Sequence, residues 1–259
     1  MKLTRRHFLG TTATAVIVAG MKAQGKVFGA NNRVRVCTIG FNGQGSSHIR
    51  DLLSMKDDAE YVALCDVDDK VLAKGSKLVQ DAQGKAPKLF KDIREALQQS
   101  EIDVVTIATP NHWHALAAIW AMQAGKDVYV EKPICVAIEE GKKMVEAARK
   151  YKRVVQAGTM QRSGTHFQKA TDLVKTGALG NVTMVHSWNY GLMEPEGIGA
   201  PADAAPPSEL DWDMWLGPAP KRPFNANRFG VDPKAFSHFR WFWDLSLIHI
   251  SEPTRLRRI

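Results

Sequence analysis

A glycine-rich turn between a short apolar run and an amphipathic helix is the feature that most limits the fold of this chain. The run from Val34 to Ile39 predicts a buried strand, and Gly40-Phe41-Asn42-Gly43-Gln44-Gly45 follows it directly. Gly40 would allow a tight turn, and Gly45 would let the next helix pack closely. Asn42 departs from glycine at the second position of the G-x-G-x-x-G pattern, but Asn tolerates positive φ better than most residues. The N–H groups of Gly43, Gln44 and their neighbours at the helix start would face a pyrophosphate. The turn therefore predicts a dinucleotide-binding βαβ unit.

Short apolar runs alternate with helical patterns from residue 33 to about residue 156, which favours a parallel sheet with helices on both faces. We predict an α/β fold in which residues 31–156 form a Rossmann-type doubly wound sheet. The predicted strands are 34–39, 61–65, 88–90, 104–108, 127–130 and one that begins at 154, and the predicted helices are 44–55, 69–81, 92–98, 112–124 and 138–150.

The pattern changes in residues 157–244, which we expect to begin a second, α+β domain with a mixed or antiparallel sheet. A helix is predicted over 165–176 and a long strand of mixed polarity over 182–190. Residues 245–259 have no partner pattern and end in three arginines and Ile259. We expect them to be a non-native tail on a truncated reading frame, which would leave the second domain incomplete.

An acidic residue stands where a dinucleotide fold needs one. Asp66 ends the second predicted strand, 21 residues after Gly45. A carboxylate at this place would accept hydrogen bonds from the ribose hydroxyls of the adenosine half and would repel a 2′-phosphate. The cofactor predicted from this residue is NAD, with NADP less favoured.

Two further strand ends carry candidate site residues. Thr109-Pro110-Asn111 follows the fourth strand, where Pro110 breaks the strand and Asn111 could cap the helix. Glu131-Lys132-Pro133 follows the fifth strand. Carboxyl ends of parallel strands hold the ligands of such sheets, so Lys132 is the candidate catalytic residue, able to hydrogen-bond a substrate oxygen beside the nicotinamide. His112 and His114 are too closely spaced for the usual helical metal pair, and no metal is predicted.

The net charge does not indicate nucleic acid. The formal charge is +8, but residues 1–30 supply five basic groups and residues 245–259 a net of two, which leaves +1 for the body. At the start, Thr4-Arg5-Arg6-His7-Phe8-Leu9 is a twin-arginine pattern followed by a modest apolar run. We expect residues 1–30 to be a signal segment, read by the twin-arginine export machinery, that delivers the folded protein to the periplasm. The run is too short and polar for a stable membrane span.

Together, the Gly40 to Gly45 turn, Thr109-Pro110-Asn111 and Val130-Glu131-Lys132-Pro133 resemble the glucose–fructose oxidoreductase / inositol dehydrogenase / rhizopine-catabolism (Gfo/Idh/MocA) oxidoreductases. The twin-arginine leader and Arg240-Trp241-Phe242-Trp243-Asp244 resemble the exported branch of that family. The resemblance covers residues 33–244 and implies an NAD(P)-binding Rossmann domain followed by an α/β domain that carries the substrate pocket and an oligomer interface. It further implies that Lys132 contacts substrate and nicotinamide, that His114 lies on the nicotinamide side, and that the intact protein is a homo-oligomer.

The sequence departs from the family after Asp244. The family continues into a glycine-rich stretch and then an Asp and a His, and the His commonly transfers a proton. Here Leu-Ser-Leu-Ile follows Asp244, and His249 is the only later histidine. We therefore expect this chain to lack its general base and to be inactive as a fragment.

Candidate substrate residues follow the sixth strand and lie on the long predicted strand. Gln161 and Arg162, in the turn Gly158-Thr159-Met160-Gln161-Arg162, could donate hydrogen bonds to sugar hydroxyls or a carboxylate. Trp188 and Asn189 could face the ligand from the strand over 182–190.

Three functions remain open at this point. The first is an NAD(P)-dependent oxidoreductase that moves hydride between nicotinamide and a carbohydrate or polyol. The second is an NAD-dependent glycosidase of the same family, which oxidises a sugar transiently, eliminates a glycosidic substituent and returns the hydride. The third is a dinucleotide- or sugar-binding protein without turnover. Net NADH production, aglycone release or binding alone would distinguish them.

Overall fold

The computed structural model describes residues 33–186, 197–230 and 237–247. Six parallel strands form one sheet in the order β3-β2-β1-β4-β5-β6. This confirms the predicted doubly wound fold. The strands are β1 (Val34–Ile39), β2 (Ala59–Cys65), β3 (Lys88–Phe90), β4 (Val104–Ile107), β5 (Asp127–Glu131) and β6 (Val155–Gly158). Because β6 runs to Gly158, the sheet continues two residues past the predicted boundary at 156.

Five helices connect the strands and cover both faces of the sheet, as the crossover rule for parallel strands requires. Alternate residues of a strand enter different cores: Val128 and Val130 pack in one apolar cluster, whereas Tyr129 between them packs in the other. The helices are α1 (Gln44–Leu53), α2 (Asp69–Gln83), α3 (Ile93–Leu97), α4 (Asn111–Gln123) and α5 (Ile138–Tyr151). Helices α1 and α2 cover the Tyr129 face, and α3, α4 and α5 cover the other.

The strand order reverses at β1, which lies between β2 and β4. Loops after these neighbours leave the sheet in opposite directions, so a crevice opens at their carboxyl ends, where ligands of open α/β sheets bind. The turn after β1 and the segment after β5 are separated by β4 alone, and both border this crevice.

The remaining described residues form short helices joined by irregular chain. They are a 3₁₀ helix (Met160–Ser163), α6 (Thr165–Lys175), α7 (Trp212–Leu216), α8 (Ala226–Phe229) and a second 3₁₀ helix (His238–Trp241). Trp212 and Trp215 stack with ring centroids 4.7 Å apart at the centre of a small apolar cluster that also buries Leu245. Arg228 of α8 forms a bidentate ion pair with Asp244, with Nη1 3.0 Å from Oδ2 and Nη2 3.1 Å from Oδ1.

Backbone hydrogen bonds join this segment to the first domain. The N–H of Asp211 donates to the carbonyl of Val67 at 3.0 Å, and the N–H of Asp69 donates to the carbonyl of Glu209 at 3.1 Å. On the other side of the crevice, the indole N–H of Trp113 donates to the carbonyl of Trp215 at 3.0 Å. Residues 209–215 therefore cross the mouth of the crevice from the loop after β2 to the start of α4.

One expectation for the later residues needs correction, and another stays a prediction. The strand predicted over 182–190 is wrong in its described part, because residues 182–186 are irregular and Val185 is 81% exposed. A strand forms only where a neighbour completes its hydrogen bonds, and none of the described residues pairs with this segment. The non-native tail expected from residue 245 stays a prediction; of its described residues, Leu245 is fully buried and the Ser246 hydroxyl accepts a hydrogen bond from the Asn111 side chain at 2.6 Å.

Several other expectations concern residues outside the described ranges. These are the twin-arginine pair Arg5 and Arg6, the substrate candidates Trp188 and Asn189, and His249. Among the residues that the structure does describe, no helix combines the length and the apolar character needed to cross a bilayer.

Candidate active site

A cleft of about 340 Å³ lies at the carboxyl ends of β1, β2, β4 and β5. Its walls come from the loops that follow these strands and from the later residues that cross its mouth. Every cofactor residue predicted from the sequence borders it except Gly45, which lies buried behind Gly40. Those bordering residues are Gly40, Asn42, Gly43, Gln44, Asp66, Thr109, Pro110, Asn111, His114, Glu131 and Lys132.

The first and third glycines of the turn are required by close contacts. Gly40 has φ +75°, and a Cβ there would lie 2.8 Å from the Cα and Cγ2 of Thr109. A Cβ on Gly45 would lie 2.1 Å from the carbonyl oxygen of Gly40. The turn after β1 therefore touches both its own helix and the turn after β4.

The middle of the turn is open to the cleft. Gly43 is the N-cap of α1, no heavy atom lies within 4 Å of the place where its Cβ would be, and Asn42 and Gln44 are exposed. Asn42 does not have positive φ, so its tolerance of that conformation is not needed. Because the first N–H groups of a helix lack intrahelical partners and carry positive partial charge, this end of α1 suits an anion.

Asp66 links the end of β2 to the glycine turn. Its Oδ2 accepts a hydrogen bond from the N–H of Phe41 at 2.9 Å, and its Oδ1 accepts one from the N–H of Asp68 at 3.2 Å. Burial raises the pKa of Asp66 to about 6, against the lowering effect of these two backbone donors. The side chain nevertheless borders the cleft, so a ligand hydroxyl can reach the carboxylate.

The turn after β4 is built differently from the prediction in one respect. Pro110, not Asn111, is the N-cap of α4, and the amide of Asn111 donates to Ser246 instead. The Thr109 hydroxyl is buried and has no hydrogen-bond partner among the described residues. A buried hydroxyl without a partner costs free energy, and Thr109 is one of the residues that border the cleft.

His114 ties the turn after β4 to the segment after β5. Its Nδ1 lies 2.6 Å from the carbonyl oxygen of Pro133, and its Nε2 lies 2.8 Å from that of Thr109. Burial lowers the pKa of His114 despite both carbonyl contacts. The two ring nitrogens face backbone carbonyls from two different walls of the cleft, so His114 lies between the turn after β4 and the segment after β5.

Glu131 and Lys132 have opposite environments although they are adjacent. Glu131 is 5% exposed and ends β5, whereas Lys132 is exposed and extends beside the cleft. The Lys132–Pro133 peptide bond is cis. The carboxylate of Glu131 accepts hydrogen bonds from the backbone N–H of Lys132 at 3.2 Å and from the ring of His48, 3.0 Å away.

The turn after β6 reaches the cleft through a residue that the sequence did not indicate. Met160 borders the cleft, whereas the predicted substrate residues Gln161 and Arg162 are exposed and lie outside its lining. All three belong to one 3₁₀ helix, in which successive residues point about 120° apart, so only one of them can face inward.

The later residues supply a wall that sequence reasoning missed. Leu210, Met214, Trp215 and Phe229 form an apolar surface on the cleft. Arg240 borders the cleft from the second 3₁₀ helix, where burial lowers its pKa and its guanidinium lies 4.8 Å from the centre of the Phe239 ring. The tryptophan-rich composition signalled a core here but could not show that this core borders the ligand site.

His112 fixes that wall to α4. Its Nε2 lies 3.0 Å from the carbonyl oxygen of Trp215, and its ring packs 5.4 Å from the Trp215 ring. Burial lowers the pKa of His112 to about 4, so the ring is neutral and donates to this carbonyl at neutral pH.

Two models of one oxidoreductase family match the chain in succession. Residues 34–159 match its NAD-binding Rossmann fold, and residues 163–248 match its C-terminal alpha/beta domain. The second match includes Leu245 and Ser246, in agreement with their packing.

Curated relatives carry two kinds of name. Inositol 2-dehydrogenase from Salmonella typhimurium (strain LT2) is 30% identical over 153 residues, which is 59% of this chain and 44% of the relative. A glycosyl hydrolase family 109 protein from Shewanella pealeana is 31% identical over 173 residues, which is 58% of this chain and 38% of the relative. The chain thus spans less than half the length of these two relatives.

Solved structures show the same fold. A scyllo-inositol dehydrogenase from Lactobacillus casei with bound NAD(H) and scyllo-inositol gives a TM-score of 0.54 at 24% identity, covering 59% of this chain and 44% of that one. The WlbA dehydrogenase from Bordetella pertussis, in complex with NADH and UDP-GlcNAcA, gives a TM-score of 0.50 at 27% identity. The match covers 57% of this chain and 44% of that one.

Proposed function

Because the chain belongs to the Gfo/Idh/MocA family of oxidoreductases, we propose that it binds NAD and serves hydride transfer between the nicotinamide and a carbon of a sugar or polyol. The observation that carries the proposal is the shared cleft, in which the glycine turn, Asp66 and Lys132 meet at the strand-order reversal. NAD supplies the hydride acceptor; the protein supplies binding, orientation and exclusion of water.

The residues present fit a dinucleotide. Gly40 and Gly45 let the turn after β1 pack against Thr109 and against the start of its own helix, and open space surrounds Gly43 at the N-cap of α1. Thr109, whose buried hydroxyl has no hydrogen-bond partner among the described residues, also borders the cleft. The N-terminus of α1 would hold the pyrophosphate, and Asp66 would accept hydrogen bonds from the adenosine ribose. The apolar surface around Leu210 and Met214 would exclude water from the bound cofactor.

Lys132 is the group that we assign to the reacting oxygen. Its ammonium would donate a hydrogen bond to a substrate hydroxyl or carbonyl and stabilise negative charge that develops there. Glu131 anchors the backbone from which this side chain extends. Net hydride transfer to a polyol or sugar carbon is supported by the inositol 2-dehydrogenase relatives.

A glycosidase outcome is the second candidate, and the glycosyl hydrolase family 109 relatives are what favours it. In that reaction the hydride taken from the sugar would be returned to it within one cycle, so no NADH would accumulate. Release of an aglycone from a chromogenic glycoside without net NADH would select this outcome over the dehydrogenase.

Export and assembly belong to the same proposal. The twin-arginine pattern at Arg5-Arg6 supports export of the folded protein to the periplasm. Exposed apolar residues on α6, Phe167 at 47% and Val174 at 51%, support a homo-oligomer. Periplasmic delivery of an Arg5→Lys, Arg6→Lys variant would argue against the export route, and a monomer by light scattering would argue against assembly.

The test separates binding from turnover. The purified chain should enhance NADH fluorescence with saturable binding. In a form of the protein that carries the general base, a panel of inositols, free sugars and uronic acids with NAD should identify a substrate by NADH absorbance. Absence of NADH binding would overturn the proposal. Binding without turnover, in this chain and in any longer form of the protein, would favour a binding protein over an enzyme.

A further inference from the structure

A buried histidine behind the cleft contacts the carboxylate that precedes Lys132. The Nε2 of His48, on α1, lies 3.0 Å from Oε1 of Glu131, and the two side chains are each 7% exposed. Glu131 borders the cleft, but His48 does not belong to its lining. The pair joins residues 83 positions apart, one on the helix opened by the glycine turn and one at the end of β5.

Glu131 has little freedom to move. Its other oxygen, Oε2, accepts the backbone N–H of Lys132 at 3.2 Å. Gly158 is the paired residue on β6, and a Cβ there would lie 2.9 Å from Cδ of Glu131. The sheet thus leaves room for the carboxylate by omitting a side chain on its neighbour, and hydrogen bonds to both oxygens fix its orientation.

His48 is held as firmly. It shares the buried face of α1 with Gly45, Ile49 and Leu52, and its ring meets the Tyr129 ring edge to face at 5.2 Å. Its Nδ1 is buried without a hydrogen-bond partner among the described residues. A proton on Nε2 lets the ring donate to Glu131 and leaves Nδ1 as an acceptor, which avoids a buried N–H without a partner.

We propose that His48 is a positioning residue: by donating to Glu131 it fixes the backbone of Lys132 and joins this lysine to the helix that holds the cofactor. The inference rests on the proposed function for the role of Lys132. Gly45 and His48 lie one turn apart on the same face of α1, so the pyrophosphate-binding end of this helix and the reacting lysine form one rigid unit. Displacement of a reacting group by about 1 Å can lower a rate by about 100-fold.

The test compares two variants with the same chemistry and different reach. In His48→Gln, the side-chain amide can place an N–H near the former Nε2 position, whereas the shorter side chain of His48→Asn cannot. Ile49→Ala is the matched control, because Ile49 is fully buried on the same helix and has no hydrogen bond to Glu131.

The readout is the rate at which N-hydroxysuccinimidyl acetate modifies Lys132, measured by peptide mass spectrometry and normalised to exposed Lys142. We expect this labelling rate to change about twofold or more in His48→Asn and less than that in His48→Gln and Ile49→Ala, because only His48→Asn removes the hydrogen bond that orients Glu131. If a substrate is found, kcat should fall about tenfold in His48→Asn with KM for NAD unchanged.

The outcomes separate the two proposals. Failure of the wild-type chain to bind NADH counts against the proposed function, whereas equal Lys132 labelling in His48→Asn and wild type overturns the role of His48 whatever the cofactor result. An equal change of the Lys132 labelling rate in Ile49→Ala also overturns the role of His48, since a general loss of packing in α1 would then explain the change. Should His48→Asn not fold, NMR of wild-type protein with isotope-labelled histidine decides: an Nε2–H tautomer supports the contact and an Nδ1–H tautomer overturns it.

Discussion

Gly40 and Thr109 approach so closely that a single methyl group on Gly40 would lie 2.8 Å from the Cα of Thr109. The contact joins the turn after β1 to the turn after β4, at the place where the order of strands reverses. Both turns border the cleft, so this close contact sets the distance between two of its walls.

Gly40→Ala tests this contact. We expect it to lower the free energy of unfolding by about 2–4 kcal/mol, because it adds a steric clash with backbone to the strain of positive φ. Gly84→Ala is the matched control: Gly84 has φ +74° but open space around it, so the loss should be about 1 kcal/mol. Urea denaturation measures both, and equal losses would mean that backbone strain alone explains the glycine. NADH affinity should fall only in Gly40→Ala.

Asp66 predicts a pH dependence of cofactor binding. Its pKa of about 6 means that the carboxyl becomes protonated as pH falls through 6 and then loses acceptor capacity for ribose hydroxyls. NADH affinity should therefore be full above pH 6 and decline below it. Asp66→Asn should bind NADH weakly with a flat pH profile over this range and should discriminate less against NADPH. Fluorescence titrations measure both, with exposed Asp81→Asn as the control.

The same pKa makes an opposite prediction for stability of the protein without cofactor. An acid whose folded pKa is raised to about 6 keeps its proton in the folded state after the unfolded chain has lost it. The contribution of Asp66 to stability is therefore fully present below its unfolded pKa and is lost as pH rises through 6. Asp66→Asn should remove this loss. If chemical denaturation at a series of pH values gives the same slope of unfolding free energy against pH in both proteins, the raised pKa of Asp66 is contradicted.

Lys132→Met should separate chemistry from cofactor binding. Methionine keeps most of the apolar stem and removes the ammonium. In a form of the protein that turns over, we therefore expect kcat to fall by about 100-fold or more while the dissociation constant for NADH stays within about threefold. Lys142→Met removes an exposed ammonium paired with Glu139 and should leave kcat and the dissociation constant for NADH unchanged. An active Lys132→Met enzyme would show that another group handles the reacting oxygen.

Arg228→Met should destabilise the wall that crosses the cleft. The variant leaves Asp244, whose side chain is 21% exposed, without its bidentate partner. We therefore expect the free energy of unfolding to fall by about 2–3 kcal/mol and Tm to fall with it. Lys221→Met breaks an ion pair with Asp213 in which both side chains are more than 60% exposed, and should cost less than about 1 kcal/mol. Similar Tm shifts in the two variants would contradict a structural role for the Arg228 pair.

The first domain and half of its site were predictable because their signals are local. A strand, a turn and a helix start occupy neighbouring residues, and parallel strands place their carboxyl ends at one edge, so Gly40, Asp66 and Lys132 could be assigned to one cleft without coordinates. The predicted strand boundaries agree with the structure to within a residue or two.

Tertiary structure decided what no local pattern encodes. Asn111 binds Ser246 rather than capping its helix, Met160 reaches the cleft instead of Gln161 and Arg162, and His48 meets Glu131 across 83 residues. Each outcome depends on how one element docks against another, and periodicity specifies only which face of an element is apolar. The sequence by itself determined the sheet, the turn and the candidate lysine; packing of distant segments determined which side chains surround that lysine and hold it in place.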